Sequence, residues 1–275
     1  MLTVYKTTFV NKRNLVSNVF LFTFKLNSPS EFNFIPGQYL ILRVDGKPRL
    51  YSIASSSSKK NIIEFIIELF PGGLASTYLE ELKIEEEVSF QGPAGQFQLR
   101  ENDKQKIFLV TGTGIAPVRS IFSSLVIPSP STSFRVNSAR NLVPPKAGRN
   151  ASLDSSSPPS AVPRNDSVMV YLFWGLKTYQ DVYLFEELKN YGLRITDYNF
   201  KICLSREKNL EMIPEPDRKY FEIGHIDTCL FQQFNNLTME QFEFYLCGGR
   251  NVVESIRQIL LSKNISPENI VFEKF

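Results

Sequence analysis

Cysteine is scarce in this 275-residue chain: Cys203, Cys229 and Cys247 stand far apart, with no Cys-x-x-Cys pair among them. An odd, scattered set argues against a disulfide framework and against a zinc site. The Cys-x4-Cys-x2-Cys spacing of a plant-type iron–sulfur centre is missing as well, so no metal or cluster is expected. Long hydrophobic runs are also lacking. The opening MLTVYKTTFVNKRN has no apolar core of signal-peptide length, and no later stretch approaches a membrane span. Charge of one sign is in no real excess. The formal +3 comes entirely from residues 128–167, where Arg135, Arg140, Lys146, Arg149 and Arg164 outnumber Asp154 and Asp166. The remainder is balanced, so charge points to no nucleic-acid or membrane partner. A soluble protein of a reducing, cytoplasmic compartment is the expectation these absences leave.

What is present is apolar and aromatic. With 43% hydrophobic and 13% aromatic residues, a chain of this length can fill two cores of ordinary size. Up to about Gln105 the pattern is that of strands. NVFLFTFKL (18–26) sets Phe20, Phe22, Phe24 and Leu26 on one face, and NIIEFIIEL (61–69) sets Glu64 and Glu68 opposite Ile63, Phe65, Ile67 and Leu69. PGQ, DGKP, PGG and GPAG punctuate these runs, which predicts a small antiparallel barrel over residues 1–102, with one helix at 75–83. From Lys106 the pattern changes. KIFLV, VMVYLFW, FKICL and FEFYLC are near-continuous apolar runs, and helical stretches at 116–126, 181–190 and 252–264 fall between or after them. Strands alternating with helices predict a parallel-sheet, Rossmann-like α/β domain over 106–275. Residues 128–167, rich in serine and proline, fit neither pattern and are read as a disordered insertion into that domain.

The loop VTGTGIAPVRS (110–120) follows a strand and precedes a helix, the setting a phosphate-binding loop needs. Gly112 and Gly114 let backbone approach a pyrophosphate, and the helix start offers free N–H groups. Pro117 stands where a third glycine would be, and an ordinary tight turn would read alike. The upstream domain adds a second group. RLYS (49–52) places a guanidinium, a ring and a hydroxyl at one strand end, suited to a flavin dinucleotide: Arg49 for the pyrophosphate, Tyr51 against the ring system, Ser52 near its N5. In GGLASTYL (72–79), Gly72 and Gly73 run through Leu74 and Ala75 to Ser76, a second helix start made for phosphate. Two anion sites in two domains imply two dinucleotides.

At this point the chain resembles the ferredoxin–NADP reductase superfamily. PGQYL (36–40), RLYS, GGLASTYL, GPAGQF (92–97), TGTGIAP (111–117), SRE (205–207), CGG (247–249) and FEKF (272–275) occur in family order. The pattern is most similar to the reductase modules of bacterial ring-hydroxylating oxygenases, without a fused ferredoxin. Gly249 and Arg250 replace prolines usual after the Cys-Gly, and Leu50 fills a slot often held by proline.

The resemblance implies FAD on Arg49, Leu50, Tyr51, Ser52 and Gly72 to Ser76. It implies NAD(P)H on Thr111, Gly112, Thr113, Gly114, Cys247 and Gly248, with hydride passing to FAD and electrons leaving to a separate ferredoxin, oxygenase component or small acceptor. Cys247 would sit near the nicotinamide. Phe275, with Phe272 as the competing candidate, would shield the flavin ring. Ser205 and Arg206 stand where a 2′-phosphate binds, which favours NADPH without excluding NADH. His225, the single histidine, is read as structural. Two other readings stand beside this one: an FAD-containing electron-transfer subunit active only within a larger complex, and a nucleotide-binding scaffold without redox chemistry.

Overall fold

The computed structural model describes residues 2–126, 168–234 and 239–275. The insertion expected at 128–167 lies outside the described residues.

Six strands form the first domain: β1 (Thr3–Val16), β2 (Val19–Ser28), β3 (Tyr39–Val44), β4 (Lys47–Ser52), β5 (Ile62–Glu68) and β6 (Glu87–Ala94). They pair antiparallel in the order β4-β3-β6-β1-β2-β5. A bridge between Ile53 and Phe65 brings the two edge strands together, so the sheet curls into the expected barrel. Its interior is aromatic. Phe24 meets Phe65 and Phe90 edge-on at ring-centroid distances of 5.9 and 5.0 Å, and Leu40 and Leu42 fill the space beside them. Helix α1 (Leu74–Glu81) lies between β5 and β6 and buries Ala75 and Leu79.

The second domain carries β7 (Gln105–Thr111), β8 (Val170–Leu176), β9 (Tyr198–Leu204), β10 (Phe221–Ile223), β11 (Phe242–Gly248) and β12 (Ile270–Lys274). Every pairing is parallel, in the order β10-β9-β8-β7-β11-β12. Its helices are α2 (Ile115–Leu125), α3 (Phe185–Gly192), α4 (Ile226–Gln233) and α5 (Arg250–Ser262). Alternation along each strand sorts them onto two faces. Phe108, Val110, Leu172 and Trp174 pack with α2 and α3, whereas Ile107, Leu109, Phe173 and Leu246 pack with α4 and α5. From β7 the chain winds outward to β8, β9 and β10, then returns to the other side of β7 as β11. A crevice opens where the winding reverses, at the carboxyl ends of β7 and β11.

Two local expectations change. The helix expected at 181–190 begins only at Phe185, because Asp181 is engaged in a capping box with Thr178 at the short 3-10 turn Tyr179–Asp181. Glu64, expected on an open barrel face, is 8% exposed. Val19, Leu21 and Ile66 share its face and join the core around α2, so the second domain covers what would otherwise be solvent side.

Candidate functional site

At the first candidate anion site, β4 delivers RLYS to the barrel end. Arg49 is exposed, donates to the carbonyl of Pro48 at 2.9 Å and forms no ion pair among the described residues. Tyr51 packs at 6.0 Å from Phe65, and burial, opposed by Arg49, pushes its phenol up to about 12, so the ring stays neutral. Nearby, α1 begins at Leu74 behind Gly73 with no capping side chain, which leaves its first N–H groups open. Ser76 lies inside the first turn, and its hydroxyl accepts the N–H of Phe70 at 2.9 Å. Leu50 and Phe70 are more than half exposed. A free guanidinium, open helical N–H groups and uncovered apolar side chains fit an amphipathic dinucleotide such as FAD.

The second candidate anion site sits in the crevice. Gly112–Gly114 form a 3-10 turn between β7 and α2. Trp174 Nε1 and Tyr183 Oη both donate to the carbonyl of Gly112, at 3.0 and 3.1 Å, and so fix the orientation of that peptide. Pro117 occupies the first turn of α2, where its missing N–H costs nothing. A methyl group built on Gly114 would stand 2.3 Å from the carbonyl oxygen of Cys247, so the loop and the end of β11 touch backbone to backbone. Gly248 adopts φ +150, and a side chain there would strike Thr111 Oγ1 at 2.2 Å. A side chain at Gly112, by contrast, would meet nothing within 4 Å. The space beyond is a cleft of about 960 Å³, lined by Thr111, Gly112, Ser205, Arg206 and, unexpectedly, His225 of the second domain, with Asn18 and Glu68 of the first. Ser205 Oγ donates to the carbonyl of Leu176 at 3.2 Å, while Arg206 is exposed and forms no ion pair among the described residues. Backbone open to the cleft at Gly112 and an unpaired guanidinium at Arg206 fit a phosphate-bearing nucleotide.

Between the two sites the domains meet. Ser52 Oγ donates to Glu273 Oε1 at 2.7 Å, and Glu273 is the register partner of Cys247 between β12 and β11. Burial raises the Glu273 carboxyl above its usual range, against the hydrogen bond from Ser52. Cys247 is buried, and burial holds its thiol well above the usual range, so it is a neutral, compact group. Phe275 is 53% exposed and donates its N–H to the carbonyl of Gly248 at 3.3 Å. Phe272 instead lies under the guanidinium of Arg257, at 5.2 Å. No local pattern in FEKF marks Glu273, because its partner is a serine 221 positions away. Trp174 and Tyr183 were missed for the same reason.

Comparison with known proteins agrees with the geometry. Residues 6–99 match the oxidoreductase FAD-binding domain family and residues 108–258 the oxidoreductase NAD-binding domain family. The toluate 1,2-dioxygenase electron transfer component of Pseudomonas putida is 26% identical over 274 residues, covering 98% of this chain and 67% of that protein. The 2-halobenzoate 1,2-dioxygenase electron transfer component of Burkholderia cepacia is 25% identical over 264 residues, covering 94% and 64%. The chain thus spans about two thirds of the length of these curated relatives. Among solved structures, a cytochrome P450 reductase from Amycolatopsis shares the fold with a TM-score of 0.74 at 21% identity, covering all of this chain and 70% of that one. An antiparallel barrel matched as an FAD-binding domain, joined to a switch-point parallel sheet matched as an NAD-binding domain, makes this chain a member of the ferredoxin–NADP reductase superfamily of oxidoreductases.

Proposed function

We propose that the chain is an NAD(P)H-dependent flavoprotein reductase that serves a separate electron acceptor, a ferredoxin, an oxygenase component or a small molecule. The contact between Ser52 and Glu273 carries this reading. It joins the end of the RLYS strand to the strand beside Cys247, so the groups assigned to flavin and to nicotinamide face one another across the domain boundary. FAD, when bound, supplies the redox chemistry, taking hydride from reduced nicotinamide and passing electrons on.

The chain's own residues bind, orient and exclude water. Arg49 would hold the flavin pyrophosphate with the first-turn N–H groups of Leu74 to Ser76 behind Gly72 and Gly73, and Leu50 and Tyr51 would supply the surface for the ring system. Ser52 Oγ donates to Glu273 Oε1 at the boundary between the two domains. Thr111 to Gly114 and Gly248 receive the nicotinamide dinucleotide, and Cys247, small and neutral, lets its ring come close. Ser205 and Arg206 take the adenosine end, where the free fork of Arg206 favours a 2′-phosphate. Phe275, exposed beside Gly248, would shield the ring system of a bound flavin.

The test is the visible spectrum of the purified chain with FAD, before and after anaerobic NADPH or NADH. Flavin bands should bleach, faster with NADPH. Bands that persist favour the electron-transfer subunit that works only in a larger complex, and failure to bind flavin leaves a nucleotide-binding scaffold. Arg49→Ala should release FAD on gel filtration where the parent chain retains it; equal retention would sink the pyrophosphate assignment.

A further inference from the structure

Besides Ser52 and Glu273, a second set of polar contacts crosses between the domains close to the site, and it centres on one side chain. Arg119 Nη1 donates to Glu64 Oε2 on β5 and to the carbonyl of Ala54, both at 2.9 Å. Its Nε donates to Glu187 Oε1 on α3 at 2.8 Å. The guanidinium is 13% exposed, and the two carboxylates are 11% and 29% exposed. Glu187 is itself held by Tyr191 Oη at 2.5 Å, and Tyr191 shares a hydrogen bond with Ser123 at 2.7 Å. Next along α2, Ser120 Oγ donates to the carbonyl of Ser55 at 2.7 Å, and Ser124 Oγ accepts the N–H of Ser57 at 3.2 Å. Residues 119, 120, 123 and 124 make one helical face, so α2 lies along residues 54–57 through hydrogen bonds.

The position of this face gives it a consequence beyond stability. Ala54 is two residues beyond Ser52, and α2 begins immediately after Gly114. A planar fork that grips the first segment and the first domain's β5 while standing in the first turns of α2 fixes the RLYS end relative to the dinucleotide loop. Lysine has one point of charge and cannot hold Glu64, the Ala54 carbonyl and Glu187 in one plane. The apolar contact of Val19, Leu21 and Ile66 with the residues around α2 is non-directional, and the hydrogen bonds of the fork add the direction that it lacks.

We propose that Arg119 is a positioning residue that sets the separation of the two nucleotide sites. Hydride transfer depends steeply on that separation, a displacement of about 1 Å costing on the order of 100-fold in rate. The rate consequence rests on the reductase reading; the spacing consequence does not.

The experiment uses the purified full chain, as isolated, in the parent and in Arg119→Ala, with Arg119→Lys as the milder change should the alanine variant fail to fold. Spin labels at Lys47→Cys and Gln258→Cys, exposed positions in the two domains, report the interdomain distance; the three native cysteines are buried. The parent should give one narrow distribution and the Arg119 variants a broadened or shifted one. In FAD-loaded protein at saturating NAD(P)H, the variants should bleach at least about tenfold more slowly, with dissociation constants for FAD and NADP+ within about twofold of the parent. Val88→Ala, which loosens the barrel core away from the interface, should lower the melting temperature and leave both readouts alone. An unchanged distance distribution in a folded Arg119→Ala chain overturns the proposal. So does a bleaching rate that falls equally in Val88→Ala at matched melting temperature. A parent chain that binds FAD but is not bleached would instead overturn the reductase reading, with the distance measurement still deciding the role of Arg119.

Discussion

Replacing Glu243 by alanine should cost about 3–5 kcal/mol of folding stability, because it strands a cation in the core. Lys106 and Glu243 are register partners on β7 and β11, their side chains 0% and 2% exposed, and Nζ lies 2.8 Å from Oε2. Tyr245 Oη donates to the same carboxylate oxygen at 2.6 Å, and Arg100, from the segment joining the domains, donates to the other at 3.1 Å. Without Glu243, Lys106 keeps only Asn102 among these partners, and the Tyr245 hydroxyl loses its acceptor. Set against a total stability of roughly 5–15 kcal/mol, the loss should lower the melting temperature by about 10 °C. Thermal unfolding followed by circular dichroism checks this; a shift under about 2 °C would mean that the cluster relaxes or admits water. Glu243→Leu combined with Lys106→Met should recover most of the loss, since removing both charges leaves neither unpaired.

The same cluster gives a pH dependence with a definite sign. Burial pushes the Glu243 carboxyl up, but hydrogen bonds from Lys106 and Tyr245 overcome it and hold the group below the usual carboxylate range. A depressed carboxyl stabilises the fold above its unfolded value, and that contribution disappears as pH falls through the folded one. The stability gap between the parent and Glu243→Gln should therefore be full at neutral pH and close in acid.

Barrel, parallel sheet and the glycine turns that lead into α1 and α2 were legible in the sequence because their signals are local. Alternation in NVFLFTFKL, the apolar run KIFLV and the glycines before α1 and α2 each act within a few residues. What was not legible depends on partners distant in the chain. Alternation alone put Glu64 on an open face, whereas β5 is buried on both sides because α2 lies against it, and Arg119, 55 positions on, supplies the counter-charge. Ser52 was legible as part of RLYS, but Glu273 was not, since its meaning comes from a contact 221 positions away. His225, read as structural, lines the cleft, and nothing in GHIDTCL marks which side of the sheet α4 will cover.

Gly114→Val should lower affinity for the nicotinamide dinucleotide on the order of 100-fold and leave FAD retention intact. The first added carbon would stand 2.3 Å from the carbonyl oxygen of Cys247 and 3.0 Å from the N–H of Gly248, both backbone atoms. Strand β11 cannot retreat, since β7 bonds it on one side and β12 on the other. The loop must move instead, and it carries the start of α2 and the Gly112 peptide that Trp174 and Tyr183 hold in place. The Gly112 backbone that lines the cleft would then be displaced, and phosphate binding ahead of a helix depends on that placement. RLYS and α1 are held within the other domain by their own strand pairing and packing, so FAD retention should survive a shift of α2 along residues 54–57. Titration of NADP+ against parent and variant, with FAD retention measured on the same samples, separates the two effects. An undiminished nucleotide affinity would place the dinucleotide elsewhere than the crevice between β7 and β11. Loss of FAD together with the nucleotide would show instead that the loop supports the fold of both domains rather than one binding site.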